Sequence, residues 1–155
     1  MSDAQHTGVH RALTANTGYL LSRMGRHAQK RFSEQLEPLG LTPRVWGAMN
    51  VLAAEGEITQ QALGACVGMD PSSMVATIDE LESKGFVERR RHPSDRRAHA
   101  LHLTELGRET LARARRLARV AGEELLAPLD EQERRQLHEL LLRLTQAIGS
   151  GERPG

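Results

Sequence analysis

Two dipeptides, Thr42-Pro43 and Asp70-Pro71, constrain the fold of this chain more than any other feature. In each, a side-chain oxygen stands immediately before a proline. Helices start readily at such points, because the N-cap oxygen accepts an otherwise unpaired N–H and proline at the first helical position lacks an N–H that would have no partner. Thr59 supplies a third cap between them. Starts this close together permit only short helices joined by tight turns. The first carries Trp46, Met49, Leu52 and Ala53 on its buried face and stops at Glu55-Gly56-Glu57. The second runs from Gln60 to Val67 with Ala62, Leu63 and Val67 inward, and Gly68 closes it. The third reaches about Ser83, with Met74, Ile78 and Leu81 inward and Gly85 as its stop. Ile58, an isolated β-branched residue, suits one short bridge.

Phe86 to Arg91 and Arg97 to Leu103 read as strands, Leu101 and Leu103 alternating with polar residues. The segment His92-Pro93-Ser94-Asp95-Arg96 between them is a turn, since Pro93 cannot sit in a central strand. Long amphipathic helices flank this middle. One spans Val9 to Leu36 through Leu20, Leu21, Met24, Ala28 and Phe32, and is ended by Pro38 and Gly40. Another is capped by Thr104 and runs through Leu106, Leu111, Ala114, Leu117 and Ala121 to Leu126, before Pro128. The last opens on a capping box of Asp130 and Glu133 and shows Leu137, Leu140, Leu141, Leu144 and Ile148 on one face. The expected class is mostly α with a small β-hairpin wing: a winged helix-turn-helix flanked by long dimerisation helices. The expected divisions are an N-terminal dimerisation helix at 9–37, the winged helix-turn-helix at 42–103 and C-terminal dimerisation helices at 104–149.

Composition narrows the function. The single cysteine excludes a disulfide framework and points to a reducing compartment. No apolar stretch approaches a membrane span, and Met1 to Val9 lacks a signal-peptide core, so a soluble cytoplasmic protein is expected. The net charge of +1 taken alone argues against a polyanionic partner, but its distribution does not. Residues 59–83 hold four acidic and no basic groups, whereas residues 84–119 hold eleven basic against four acidic, a net of +7. Of the 21 basic residues all but Lys30 and Lys84 are arginine, a rigid fork suited to phosphate and guanine edges, although genomic base composition would give the same bias.

A recognition helix enters the major groove N-terminus first, which places Ser72 and Ser73, then Ala76 and Thr77, at base edges. Asp79, Glu80 and Glu82 follow toward the other end, and this acid cluster is expected to turn away from DNA. Arg89, Arg90, Arg91, Arg96 and Arg97 crowd the hairpin against only Glu88 and Asp95, as phosphates and a narrow minor groove require. An arginine run alone would equally describe a solvated surface; beside a helix-turn-helix it favours double-stranded DNA.

Four segments carry a resemblance. Leu39-Gly-Leu-Thr-Pro, Thr59-Gln-Gln-Ala-Leu-Gly, Asp79-Glu-Leu-Glu-Ser-Lys-Gly-Phe-Val-Glu-Arg and Asp95-Arg-Arg-Ala-His-Ala-Leu-His-Leu-Thr-Glu-Leu-Gly107 are similar to the MarR family of winged-helix transcriptional regulators, over about residues 11–149. The resemblance implies a two-fold dimer on a palindromic operator, usually a repressor, released when a small aromatic acid or phenol enters a pocket between the dimer helices and the winged helix. It implies that Asp95 braces Arg97, that Arg97 enters the minor groove, and that Ser72, Ser73, Ala76 and Thr77 lie in the major groove. Ala76 and Pro71 depart from the family by standing where relatives often carry basic or polar side chains, which shifts affinity toward the wing. The physics of the chain supports pairing independently, since the leucine faces of the flanking helices exceed what the small middle can cover.

The ligand pocket is expected around Arg23, Met24 and His27 on the first long helix and Trp46, Met49 and Asn50 on the next; alternatively Trp46 and Met49 are ordinary core and Arg23 a solvated charge. Cys66, three residues after Leu63, reads as packing rather than as a redox sensor. His6 and His10 stand at i, i+4 but near a terminus expected to fray, and His99 and His102 fall on opposite faces of a strand, so no three or four ligands converge and neither a metal nor a cofactor is expected. GxSxG, HExxH, a phosphate-binding glycine loop and CxxC are all absent, which weighs against an enzyme. The rival readings are a metal- or redox-responsive regulator of the same fold, and a helical interaction protein that does not bind DNA.

Overall fold

The computed structural model describes residues 10–91 and 99–149. In chain order the elements are α1 (Arg11–Thr14), α2 (Thr17–Leu36), a 3-10 turn (Glu37–Leu39), α3 (Pro43–Glu55), β1 (Ile58–Thr59), α4 (Gln60–Val67), α5 (Pro71–Ser83), β2 (Val87–Arg91), β3 (His99–Leu103), α6 (Glu105–Leu125) and α7 (Glu131–Gly149). They form two compact units, 1–119 and 120–155, with α6 running across the boundary.

The capped starts are where the dipeptides put them. Thr42 Oγ1 accepts from Val45 N (3.2 Å), Thr59 Oγ1 from Ala62 N (3.2 Å) and Asp70 Oδ1 from Ser73 N (2.9 Å). The first long helix is corrected. It is not continuous from Val9: α1 ends at Thr14, and Asn16 caps α2 by accepting from Tyr19 N at 2.8 Å. The apolar run hides this break because hydrophobic periodicity does not register a side chain that competes with the backbone for its N–H.

Three strands form one antiparallel sheet in the order β1-β3-β2, with Ile58 opposite Leu101 and Val87 opposite Leu103. The inner face of the sheet closes over a core built from Leu36, Val45, Met49, Leu52, Leu63, Met74, Ile78, Leu81, Leu101 and Leu103. Ala53, Ala62 and Leu106, all assigned inward by periodicity, are exposed.

The joint between the sheet and α6 is close. Thr104 N donates to Phe86 O (3.0 Å), Thr104 Oγ1 donates to Gly85 O (2.6 Å), and the same hydroxyl accepts from Gly107 N (3.0 Å), capping α6. Gly107 lies directly over the Phe86 carbonyl, where an added Cβ would come within 2.1 Å of the oxygen. This contact is the physical reason for glycine in Leu103-Thr-Glu-Leu-Gly107. In the second unit, Asp130 and Glu133 exchange bonds as a capping box, Asp130 N to Glu133 Oε2 and Glu133 N to Asp130 Oδ1, both 2.9 Å. Arg134 Nε donates to the carbonyls of Leu126 and Leu129, tying the α6–α7 turn.

Replacing Gly107 with alanine is expected to cost about 2–4 kcal/mol in urea unfolding, because backbone must move. Gly47→Ala, where an added Cβ meets nothing within 4 Å, should be neutral or stabilising by up to about 1 kcal/mol in the same assay.

Candidate nucleic-acid interface

The interface is built on α4, a three-residue turn and α5. Gly68 adopts φ 66°, a conformation that favours glycine, and ends α4 so that the chain reverses into Met69 and Asp70. Gly64 is buried where α4 crosses the turn, its would-be Cβ 3.4 Å from Met69 O. These contacts, with the Gly64 Cβ position also 3.7 Å from Met74 Cγ, set how α5 is rolled.

That roll decides what faces outward. Met74, Thr77, Ile78 and Leu81 are buried, and Ser72, Val75, Ala76 and Asp79 form the exposed stripe. Two expectations are corrected here. Thr77 is only 4% exposed, and its hydroxyl donates to Ser73 O at 2.8 Å and lies 3.7 Å from Met69 Sδ. At about 100° per residue it sits roughly 65° from the centre of the Met74–Ile78–Leu81 strip, on the core side. Asp79, by contrast, does not turn away: it lies about 20° from Ser72 around the axis and roughly 10 Å along it. Val75, 43% exposed, was not singled out from the sequence. Its signal was the spacing from Ser72 and Asp79, which a valine's apolar character overrode.

At the head of α5, Asp70 gathers the two serines. Ser72 Oγ donates to Asp70 Oδ1 (2.5 Å), and Ser73 Oγ donates to Oδ2 (2.6 Å). These hydroxyls, Ser72 first, together with the Ser73 N–H, hold the Asp70 carboxyl far below the usual carboxylate range. With each serine O–H donating to Asp70, the remaining hydrogen-bonding capacity of both hydroxyl oxygens is as acceptors.

The hairpin is less free than its composition implied. Arg89 donates through Nη2 to Asp79 Oδ1 (2.9 Å) and through Nη1 to Glu82, both on α5. Arg90 pairs with Glu88 and stays well exposed. Arg91 is exposed at the end of β2. Asp95, Arg96 and Arg97 lie outside the described residues.

The expected ligand cluster divides. Arg23, Met24 and His27 are exposed on α2, whereas Met49 is fully buried core and offers no wall. Trp46 is half-buried, with Phe32 set edge-on at 5.0 Å between centroids. Its Nε1 is buried and meets no acceptor among the described residues. Asn50 is a relay, donating to Trp46 O (2.8 Å) and accepting from Arg115 Nε on α6 (2.8 Å). Cys66, expected to pack, is exposed. The buried strip of α4 is centred between Leu63 and Gly64, and Cys66 falls about 110° from that centre. His102 stands 3.7 Å from Glu57. No helix among the described residues is long and apolar enough to cross a membrane.

A helix-turn-helix with a β-hairpin packed beside its second helix defines a winged helix-turn-helix protein. Residues 39–98 match the sequence model of the MarR family. Over 137 residues, 88% of this chain and 82% of the relative, the chain is 33% identical to a putative transcriptional regulatory protein for the hcr operon of Thauera aromatica. It is also similar to the transcriptional repressor CouR bound to a 23-mer DNA duplex, at 32% identity and TM-score 0.80 over 87% of this chain and 96% of that one. A second structure, CouR from Rhodococcus jostii RHA1 bound to p-coumaroyl-CoA, is 29% identical with TM-score 0.76, over 94% of this chain and 100% of that one. The chain belongs to the MarR family of transcriptional regulators.

Because the folded Asp70 carboxyl titrates below its ordinary value of 3.8, its charge stabilises the fold fully above that pH and progressively less below it. Asp70→Asn keeps a capping oxygen without the charge. It should melt below wild type at pH 7, with the gap closing as pH falls under about 4; a gap constant with pH would show that charge is not what Asp70 contributes.

Proposed function

We propose that the protein is a homodimeric, sequence-specific DNA-binding repressor, without catalytic activity of its own, whose operator affinity falls when a small aromatic carboxylate or phenol binds. The observation that carries this reading is the outward stripe of α5, Ser72, Val75, Ala76 and Asp79, set beside the arginine-bearing strand β2. Ser72 and Ala76 would meet base edges in the major groove, Ser73 the rim, and Val75 a thymine methyl. Arg90 and Arg91, continued in sequence by Arg96 and Arg97, would meet phosphates and the minor groove, with Asp95 bracing Arg97. The similarity to a repressor bound to a DNA duplex supports the partner.

Pairing is supported by apolar surface that one chain leaves open. On α1 and α2 these residues are Leu13, Leu21 and Met24; on α7 they are Leu140, Leu141, Leu144 and Ile148. A two-fold dimer would cover them and place two α5 helices one turn of DNA apart. If about 6–10 phosphates are neutralised per dimer, affinity falls ~10³–10⁵ between about 50 and 200 mM salt. Arg97→Ala should weaken binding at least about tenfold in mobility shifts while sizing chromatography still shows the dimer; unchanged binding at moderate salt would remove the wing from the interface.

The ligand response is supported by the buried, unpartnered Trp46 Nε1, a donor that a ligand oxygen would satisfy, with Arg23 and His27 on α2 available to a carboxylate. The similarity to CouR bound to p-coumaroyl-CoA supports an aromatic acyl group or its acid. Trp46 is the chain's single tryptophan, so its fluorescence reports this site directly. Titration with aromatic carboxylates, phenols and their CoA thioesters should quench it in step with release of DNA. A compound that releases DNA and leaves the fluorescence flat would place the ligand elsewhere.

A further inference from the structure

We propose that Arg89 is a positioning residue: it cancels negative charge on the DNA-facing stripe of α5 and takes no phosphate itself. This assignment rests on the DNA-binding reading above. Residues 59–83 contain no basic side chain, so α5 cannot neutralise its own acids. Two cations from beyond the helix pair with three of these acids. Lys84 Nζ meets Glu80 Oε1 at 2.6 Å, and the guanidinium of Arg89 divides its fork between Asp79 and Glu82. Asp79 lies on the outward stripe with Ser72 and Ala76 and is 59% exposed, so without Arg89 it would present a bare carboxylate toward the DNA backbone.

The accessibility of the arginines separates their roles. The Arg89 side chain is 32% exposed and committed through both terminal nitrogens to one helix, whereas Arg90 is 62% exposed and held only by its neighbour-but-one, Glu88. If Arg89 turned to a phosphate it would leave two carboxylates unpaired, one of them facing the DNA; Arg90 could turn at the loss of a single exposed pair. Arg89 is also mid-strand, opposite Leu101, so its grip on α5 fixes the hairpin against the recognition helix. A lysine could occupy one of the two acids but not both, because the fork spans them and a point charge does not.

The test uses the full chain and the duplex that wild-type protein enriches from a random library of about 30 base pairs, roughly three helical turns. Arg89→Gln should weaken binding about tenfold or more, through repulsion from the unpaired acids. Combining it with Asp79→Asn and Glu82→Gln should restore affinity to within about threefold of wild type, with the salt slope unchanged in both variants. Thermal melts give the folded fraction. The triple variant, with no unpaired charge, carries the test even where Arg89→Gln alone folds poorly. If instead the triple variant stays weak and its salt slope falls by about 0.9 for each lost contact, Arg89 binds phosphate and the assignment is overturned. If wild type enriches no sequence, the DNA-binding reading fails and this assignment fails with it; enrichment without rescue overturns this assignment alone.

Discussion

The rotation of α5 about its own axis is the constraint on which the rest of the structure depends. Met74, Ile78 and Leu81 are sealed in the core with at most 1% exposure, and Thr77 beside them is buried with its hydroxyl turned back onto the helix. Burying side chains of this size contributes roughly 1.5–3 kcal/mol each, far more than any single surface contact on the opposite face. The inner stripe therefore dictates the outer one. Once it is seated, Ser72, Val75, Ala76 and Asp79 point outward whatever their chemistry. The closeness of Gly64 to Met69, and of Gly107 to Phe86, holds α4 and α6 near enough to keep that seat closed.

Electrostatics then works on a face that packing has already chosen. The arginine-rich stretch reads as a block of free positive charge only while the chain is one-dimensional. In the fold its first members are distributed: Arg89 to two acids of α5, Arg90 to Glu88 within its own strand. The acid-only segment and the base-rich segment that follows it are thus complementary partners inside one unit. Arg90 stays well exposed beyond its pair with Glu88, and Arg91 is exposed at the end of β2. Asp70 belongs to the same pattern. It caps α5 and binds both serines, so the head of the helix offers acceptors where a bare N-terminus would attract phosphate.

Much of the architecture was legible because its signals are local. Thr42, Thr59 and Asp70 cap helices through bonds to N–H groups three residues on, and Asp130 with Glu133 does so reciprocally. Such bonds need no tertiary partner, so residue order reveals them. Errors arose where the answer depends on which side of a helix is covered. Cys66 and Ala62 read as inward, yet α4 buries only Leu63 and Gly64 because it is crossed along a narrow line. The break at Asn16 is hidden in the sequence because Leu13, Leu20 and Leu21 keep an apolar rhythm across it.

The sequence by itself determined the punctuation of this protein: where helices start and stop, that a hairpin follows α5, and that positive charge gathers there. Those features follow from hydrogen bonds and dihedral preferences within a few residues. Only the tertiary structure decided the roll of α5, the burial of Thr77, the exposure of Val75 and Asp79, and the commitment of Arg89 to the helix beside it. A helix's rotation is set by the sum of the contacts on its buried face, and those partners, Leu63, Leu101 and the rest of the core, come from segments far apart in the chain.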